Sequence, residues 1–191
     1  MRKRTTILTA AAAFGFGGLV SAFALISPLP LSSKGAATGL HPVWREVRWP
    51  FPMDQWGYGT AYRCDAANCG AQVTVYLRAK IGFCNCTKGM TKDADLDRVS
   101  DFDLFGRALY AQASGQPVQG AWMKGRSRPF AVHDVKLGDA TMLSVGLHDN
   151  CDALVATAVL ERGKLALVEP AVMAFFNSKT FEQWAKVTLG L

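Results

Sequence analysis

The chain of 191 residues carries none of the compact signatures that mark common catalytic sites. Gly-x-Ser-x-Gly, His-Glu-x-x-His, a Walker loop, a dinucleotide fingerprint, Cys-x-x-Cys and the haem motif Cys-x-x-Cys-His are all absent. The local marks of nucleophile-elbow hydrolases, zinc proteases, nucleotide enzymes and c-type cytochromes are therefore missing. Histidine is scarce: His41, His133 and His148 are the whole set, which leaves little for general-base chemistry. No internal repeat occurs. Acidic residues are missing from the first 37 positions, and Thr5 to Ser33 carries no charge of either sign.

That uncharged stretch defines the N-terminal segment. Arg2, Lys3 and Arg4 precede the apolar run Ile7 to Ile26, about 20 residues, long enough as a helix at ~1.5 Å per residue to cross ~30 Å of hydrocarbon. A positive start before an apolar run is the pattern of an export signal. Two readings of residues 1–26 compete. Ala22-Phe23-Ala24 fits the small-x-small cleavage site of a signal peptide. The run is also longer than the ~7–15 residues of a cleaved signal, which favours an uncleaved transmembrane anchor through residues 5–26. Arg-Lys-Arg is not a twin-arginine signal, and no lipid-attachment cysteine follows. The expected location is the periplasmic or extracellular side of a membrane, tethered or secreted.

Setting the leader apart changes the electrostatics. Of 21 basic residues, Arg2, Lys3, Arg4 and Lys34 precede residue 38, and all 15 acidic ones follow it, so the balance from Gly39 onward is 17 − 15 = +2. The basic pI belongs to the leader and gives no argument for nucleic acid.

Residues 27–40, rich in Pro, Ser, Gly and Ala, read as a linker. Residues 41–191 read as a single globular domain, large enough to bury a core. It opens with an aromatic stretch holding Trp44, Trp49, Phe51, Trp56 and Tyr58, in which Pro42, Pro50 and Pro52 forbid a continuous helix. From Ala71 to Ile81, apolar Val73, Val75, Leu77, Ala79 and Ile81 alternate with Thr74, Tyr76, Arg78 and Lys80, the period of a strand with one buried face. Thr60 to Cys64 is expected to pair with it. Thr91 can cap a short acidic helix to about Val99, with Asp93 and Asp95 in its first turn. Residues 106–129 look loop-rich. Further strands are expected at 130–136, 142–147, 153–160 and 165–168, then a helix over 170–176 with Pro170 in its first turn. A last helix to about Leu189 is expected behind a Thr180/Gln183 capping box. The fold class is α+β: a mainly antiparallel sheet with a short acidic helix and C-terminal helices, preceded by one N-terminal hydrophobic export or anchor helix.

All five cysteines, Cys64, Cys69, Cys84, Cys86 and Cys151, lie in this domain. In an exported chain disulfides are the default reading, and an odd number leaves one thiol over in a monomer. Cys84 and Cys86 share a strand face if the pleat persists, and four sulfurs are expected to converge at one end of the hairpin. A Cys84–Cys86 bond would close a strained ring, so crossed pairing of Cys64/Cys69 with Cys84/Cys86 is favoured. The same four offer an alternative zinc or copper site, or a redox pair. Asn85-Cys86-Thr87 is also a glycosylation sequon.

His148 three residues from Cys151 has the ingredients of a nucleophile and its base, but Cys151 reads better as an inert core thiol, or as a partner for one of the other four cysteines. The acids Asp93 to Asp103 fail the EF-hand pattern, since Arg98 holds the glycine position and Leu104 the twelfth. They read as a solvated helix start. Lys124, Arg126 and Arg128, alternating across Gly and Ser after Trp122, read as a basic loop able to meet a phosphate, an acidic headgroup or an acidic partner. Trp44, Trp49 and Trp56, with Arg45 and Arg48 nearby, offer a membrane-interface or docking strip. The expected function is a non-catalytic binding or assembly module, disulfide-stabilised, docking on an envelope or membrane protein partner. The alternative is a periplasmic metal-binding or thiol-redox protein.

Overall fold

The structure, a computed structural model, describes residues 41–83, 89–105, 108–134, 138–160 and 162–191. The expected signal or anchor at 1–26, the expected linker at 27–40, and Cys84 and Cys86 lie outside the described residues. The class is α+β, built on one antiparallel sheet. Its strands are β1 (Trp44–Val47), β2 (Thr60–Cys64), β3 (Val73–Lys80), β4 (Ala108–Ala111), β5 (Gln116–Gly120), β6 (Met123–Asp134), β7 (Gly138–Asp149) and β8 (Asp152–Leu160). They lie in the order β1-β2-β3-β8-β7-β6-β4, and β5 also pairs with β6. The outer edge of β6 is shared: β5 takes Met123 to Ser127 and β4 takes Phe130 to His133. Among the described residues four helices accompany them: α1 (Ala66–Cys69), a single turn; α2 (Asp93–Val99); α3 (Leu165–Phe176); and α4 (Lys179–Leu189). No helix among the described residues is long and apolar enough to cross a membrane.

Side chains alternate between the two faces of a pleated strand, so the register sorts the sheet. One face carries Val73, Val75 and Leu77 of β3 beside Ala156, Ala158 and Leu160 of β8, then Leu143, Val145 and Leu147 of β7. All are buried in a single cluster under α3 and α4. Phe175 stands at its centre, with ring contacts to Trp44 (4.8 Å), Tyr62 (5.1 Å), Phe176 and Phe181. Burying each such ring is worth about 1.5–3 kcal/mol. A hydrogen bond from Trp184 Nε1 to Thr60 Oγ1 (3.2 Å) fastens α4 to β2.

The opposite face carries Tyr76, Arg78 and Lys80 of β3, Ala153, Val155 and Val159 of β8, Met142, Ser144, Gly146 and His148 of β7, and Lys124, Arg126, Arg128 and Phe130 of β6. The β1–β2 connection, α2 and a 3-10 turn at Phe102–Leu104 cover it. Here the apolar contacts fall into two smaller clusters, one under α2 around Met90, Leu96 and Val155, the other around Phe105, Val132 and Met142.

Several expectations are corrected. Residues 108–111, 116–120 and 123–129 are strands, not loops. Residues 165–168 begin α3 instead of forming a strand. Val168, Ala171, Val172, Phe175 and Phe176 are all buried, and their 3–4 residue spacing matches one helix face. Pro170 sits inside this helix and not in its first turn, removing one backbone donor near the N-terminal end. The cap of α4 is Ser178, whose Oγ accepts the Phe181 N–H at 3.2 Å, in place of Thr180. At α2 the cap position is Lys92, not Thr91, and Asp95 Oδ2 accepts the Lys92 N–H at 3.0 Å.

Candidate functional site

The β1–β2 connection, residues 48–59, crosses the polar face and brings its aromatic rings onto β3. Trp49 meets Phe51 at 5.2 Å and Tyr76 at 6.0 Å, and Phe51 continues to Phe105 at 5.0 Å. Gly59 is required where Trp49 lies, since a side chain there would collide with the indole and with the Leu77 carbonyl. Trp56 meets Phe83 at 5.0 Å. Trp44 points to the other side and packs on Phe175. Trp44, Trp49 and Trp56 are therefore all half-buried parts of the packing. Between Arg48, Trp49, Pro50, Phe51, Pro52 and Tyr58 an open groove of about 900 Å³ remains. Tyr58 is exposed at its rim, and Met53 is exposed in the same segment. The Trp49 Nε1–H is buried and has no acceptor among the described residues, a cost of about 1–3 kcal/mol.

Beneath the connection lies a network of buried charge. Arg78 is 2% exposed. It donates from Nε and Nη2 to Asp101 (3.1 and 2.5 Å) and from Nη1 to Asp54 Oδ2 (2.7 Å). Lys80 Nζ also reaches Asp101, at 2.8 Å. Two cations thus face two anions, the arrangement a dry interior demands. Aromatic faces complete the enclosure: Trp49 over Arg78 at 5.8 Å, and Trp56 and Phe83 over Lys80 at 5.4 and 5.8 Å. Burial pushes the Asp54 carboxyl up, but the Trp56 N–H, the Arg78 hydrogen bond and the charges of Arg78 and Lys80 outweigh it and hold it below 3.8. Burial lowers the Arg78 guanidinium, and Asp101 and Asp54 more than reverse this, so it stays charged. Beside the network, Ser100 Oγ donates to the Leu96 carbonyl at 2.8 Å, so Ser144 is the donor in the 2.6 Å contact between the two hydroxyls.

The basic triplet is corrected from loop to strand. Lys124, Arg126 and Arg128 share one face of β6, and two of them meet the acids of α2. Arg126 pairs with Asp93, and Arg128 Nη1 with Asp97 at 2.6 Å. Four residues of helix advance ~6 Å and two of strand ~6.6 Å, so the two carboxylates match the two guanidinium groups. Arg126 Nη2 and Arg128 Nε also donate to the Gly115 and Ala113 carbonyls at 2.7 and 3.1 Å, tying the β4–β5 connection to the same clamp. The Gly115 N–H and Arg126 hold the Asp93 carboxyl below 3.8 against the desolvation that would raise it. Lys124 is exposed and makes no ion pair among the described residues.

The cysteines are also rearranged. Cys64 is bonded to Cys69, with S–S 2.04 Å and both residues buried, correcting the crossed pairing. Cys64 lies beside Val73, at the start of β3. The expected convergence of all four sulfurs involves Cys84 and Cys86, which lie outside the described residues. While the Cys64–Cys69 bond is intact, neither sulfur is a thiolate for a metal. Cys151 occupies the two-residue turn between β7 and β8, where Asn150 adopts φ 50°. It is disulfide-bonded, as the expected pairing with another cysteine requires. This corrects both the inert-thiol and the nucleophile readings.

Sequence reasoning missed Asp54, Arg78, Lys80 and Asp101 as one group. Arg78 and Lys80 were visible on the polar side of a strand, but nothing local showed that this side is covered. Compared with known proteins, the chain matches no family model and no curated protein sequence.

Proposed function

We propose that the domain is a non-catalytic binding or assembly module on the periplasmic or extracellular side of a membrane, docking on an envelope or membrane protein through the groove of the β1–β2 connection. The observation that carries this reading is the groove itself. It joins two prolines and three aromatic rings to an exposed arginine, Arg48, that has no ion-pair partner among the described residues. Such a surface fits an extended partner segment with an apolar side chain for the groove and a carboxylate for Arg48. Trp44 and Trp49 are poor test positions because both pack internally. A photo-crosslinker at Tyr58 of the full chain, in intact envelopes, is expected to give one discrete adduct that Arg48→Glu removes. Adducts matching those from a crosslinker at Val187 on α4, or none from Tyr58, would sink the reading.

A second reading, thiol redox or zinc or copper handling by Cys64, Cys69, Cys84 and Cys86, requires the Cys64–Cys69 bond to open. Alkylation of the unreduced, denatured chain with elemental analysis separates the two. One thiol without metal favours docking, whereas four or five thiols with stoichiometric metal favour the cysteines.

A further inference from the structure

The charges under the β1–β2 connection are supplied unevenly. Arg78 and Lys80 come from β3, and Asp101 from the segment after α2. Asp54 alone is delivered by the connection. Asp101 is already committed, its oxygens taking Arg78 Nε and Nη2 and Lys80 Nζ. Arg78 Nη1 is turned away from Asp101, and its partner is Asp54 Oδ2. Without Asp54, two cations would share one anion, leaving a net positive charge under three aromatic faces. Asp54 is held for this task by a tight turn. Its Oδ1 accepts the Trp56 N–H at 2.8 Å, and its carbonyl accepts the Gly57 N–H at 3.0 Å. Its side chain is also 34% exposed, so the Nη1 position can be reached from solvent.

The geometry points to a carboxylate-binding site at Arg78 Nη1, backed by Lys80, in which Asp54 is the resident occupant and an incoming carboxylate takes its place. The charge count selects the ligand class. A monoanion restores neutrality, whereas a dianionic phosphate would leave a surplus negative charge in a water-poor site. The carboxylate can belong to a free acid or to the C-terminus of a peptide. Because Asp54 is tethered, it competes at an effective concentration in the millimolar range, so ligand binding tightens when it is removed. The site uses Asp54, Arg78 and Lys80, none of which lines the docking groove, and it shares only the Trp49 ring with it.

The test uses the full chain, wild type and Asp54→Ala, with the indole N–H signals of the five tryptophans followed by NMR. The probes are propionate, its neutral isostere propionamide, and N-acetyl-trialanine with a free C-terminus. Propionate is expected to shift the Trp49 and Trp56 signals saturably, at about tenfold lower concentration in Asp54→Ala than in wild type. Propionamide is expected to shift neither. Tighter binding of N-acetyl-trialanine than of propionate would assign the source to a peptide terminus, and weaker or equal binding to a free acid. A folded Asp54→Ala chain that propionate does not shift, or that propionamide shifts equally, overturns the proposal. So does a wild-type chain unmoved by propionate to roughly 100 mM, well above the tether's effective concentration. Should Asp54→Ala fail to fold, Asp54→Asn, which keeps the turn, must bind propionate more tightly than wild type for the proposal to stand.

Discussion

One face of the sheet buries a single apolar cluster under α3 and α4, whereas the other divides its apolar contacts into two patches with Arg78, Lys80 and Asp101 between them. The difference teaches how the sheet carries two kinds of order. The helical face is held by area removed from water, which is non-directional and tolerant of small shifts. The polar face is held by matched charges, which fix where α2 and the β1–β2 connection sit but leave each partner costly if the other is lost. The groove and the buried charges both lie on the second side, where the β1–β2 connection shares the cover with α2.

The comparison can be broken from either side. Phe175→Ala should cost about 3–5 kcal/mol, read as a lowered urea midpoint with no change in its pH dependence. Asp101→Asn strands Arg78 and Lys80 against Asp54 alone and should cost about 3 kcal/mol. Hydrogen exchange should then quicken in α2 before α3, and equal acceleration in both helices would erase the distinction between the faces. Gly146→Ala tests the packing of α2, because a side chain there would meet Met90 Sδ at 2.5 Å and a Leu96 methyl at 2.9 Å. About 1–3 kcal/mol of destabilisation is expected.

Acid should sharpen the contrast. Asp54 and Asp93 both have folded-state acidity stronger than the ordinary value of 3.8. The unfolded chain therefore takes up these protons first as pH falls. Their contribution is whole above about pH 4 and disappears as pH drops through the folded values. Urea midpoints from about pH 7 to pH 2.5 should fall less steeply in Asp54→Asn and in Asp93→Asn, and an unchanged slope in both would deny the polar face its acid sensitivity. The smallest effect is expected at the exposed Lys186–Glu182 pair on α4. Lys186→Ala should change stability by about 0.5 kcal/mol or less in thermal unfolding.

The strongest sequence signal, the alternation in β3, was legible because one row of it is continuously apolar. The same period runs through Lys124-Gly125-Arg126-Ser127-Arg128, yet it read as a loop. Neither row there is hydrophobic: one is basic, the other Gly and Ser. What makes it a strand is pairing with β7 and contact with Asp93 and Asp97, more than 30 residues earlier. At α3 the run Leu165-Ala-Leu-Val168 fits strand or helix equally, and the placement of Phe175 and Phe176 against the sheet selects the helix. The aromatic groove was half legible: its tryptophans and prolines were visible, but their inward packing and the rim role of Arg48 and Tyr58 were not.

By itself the sequence determined the antiparallel α+β class, the β2–β3 hairpin and the acidic helix, because period, capping and turn residues act over a few neighbouring positions. Only the tertiary structure decided which cysteines pair, which acids answer Arg78, Arg126 and Arg128, and where the β1–β2 connection lies. Those choices depend on distances across the sheet, between residues tens of positions apart, where electrostatic and apolar contacts are made by shape and not by spacing along the chain.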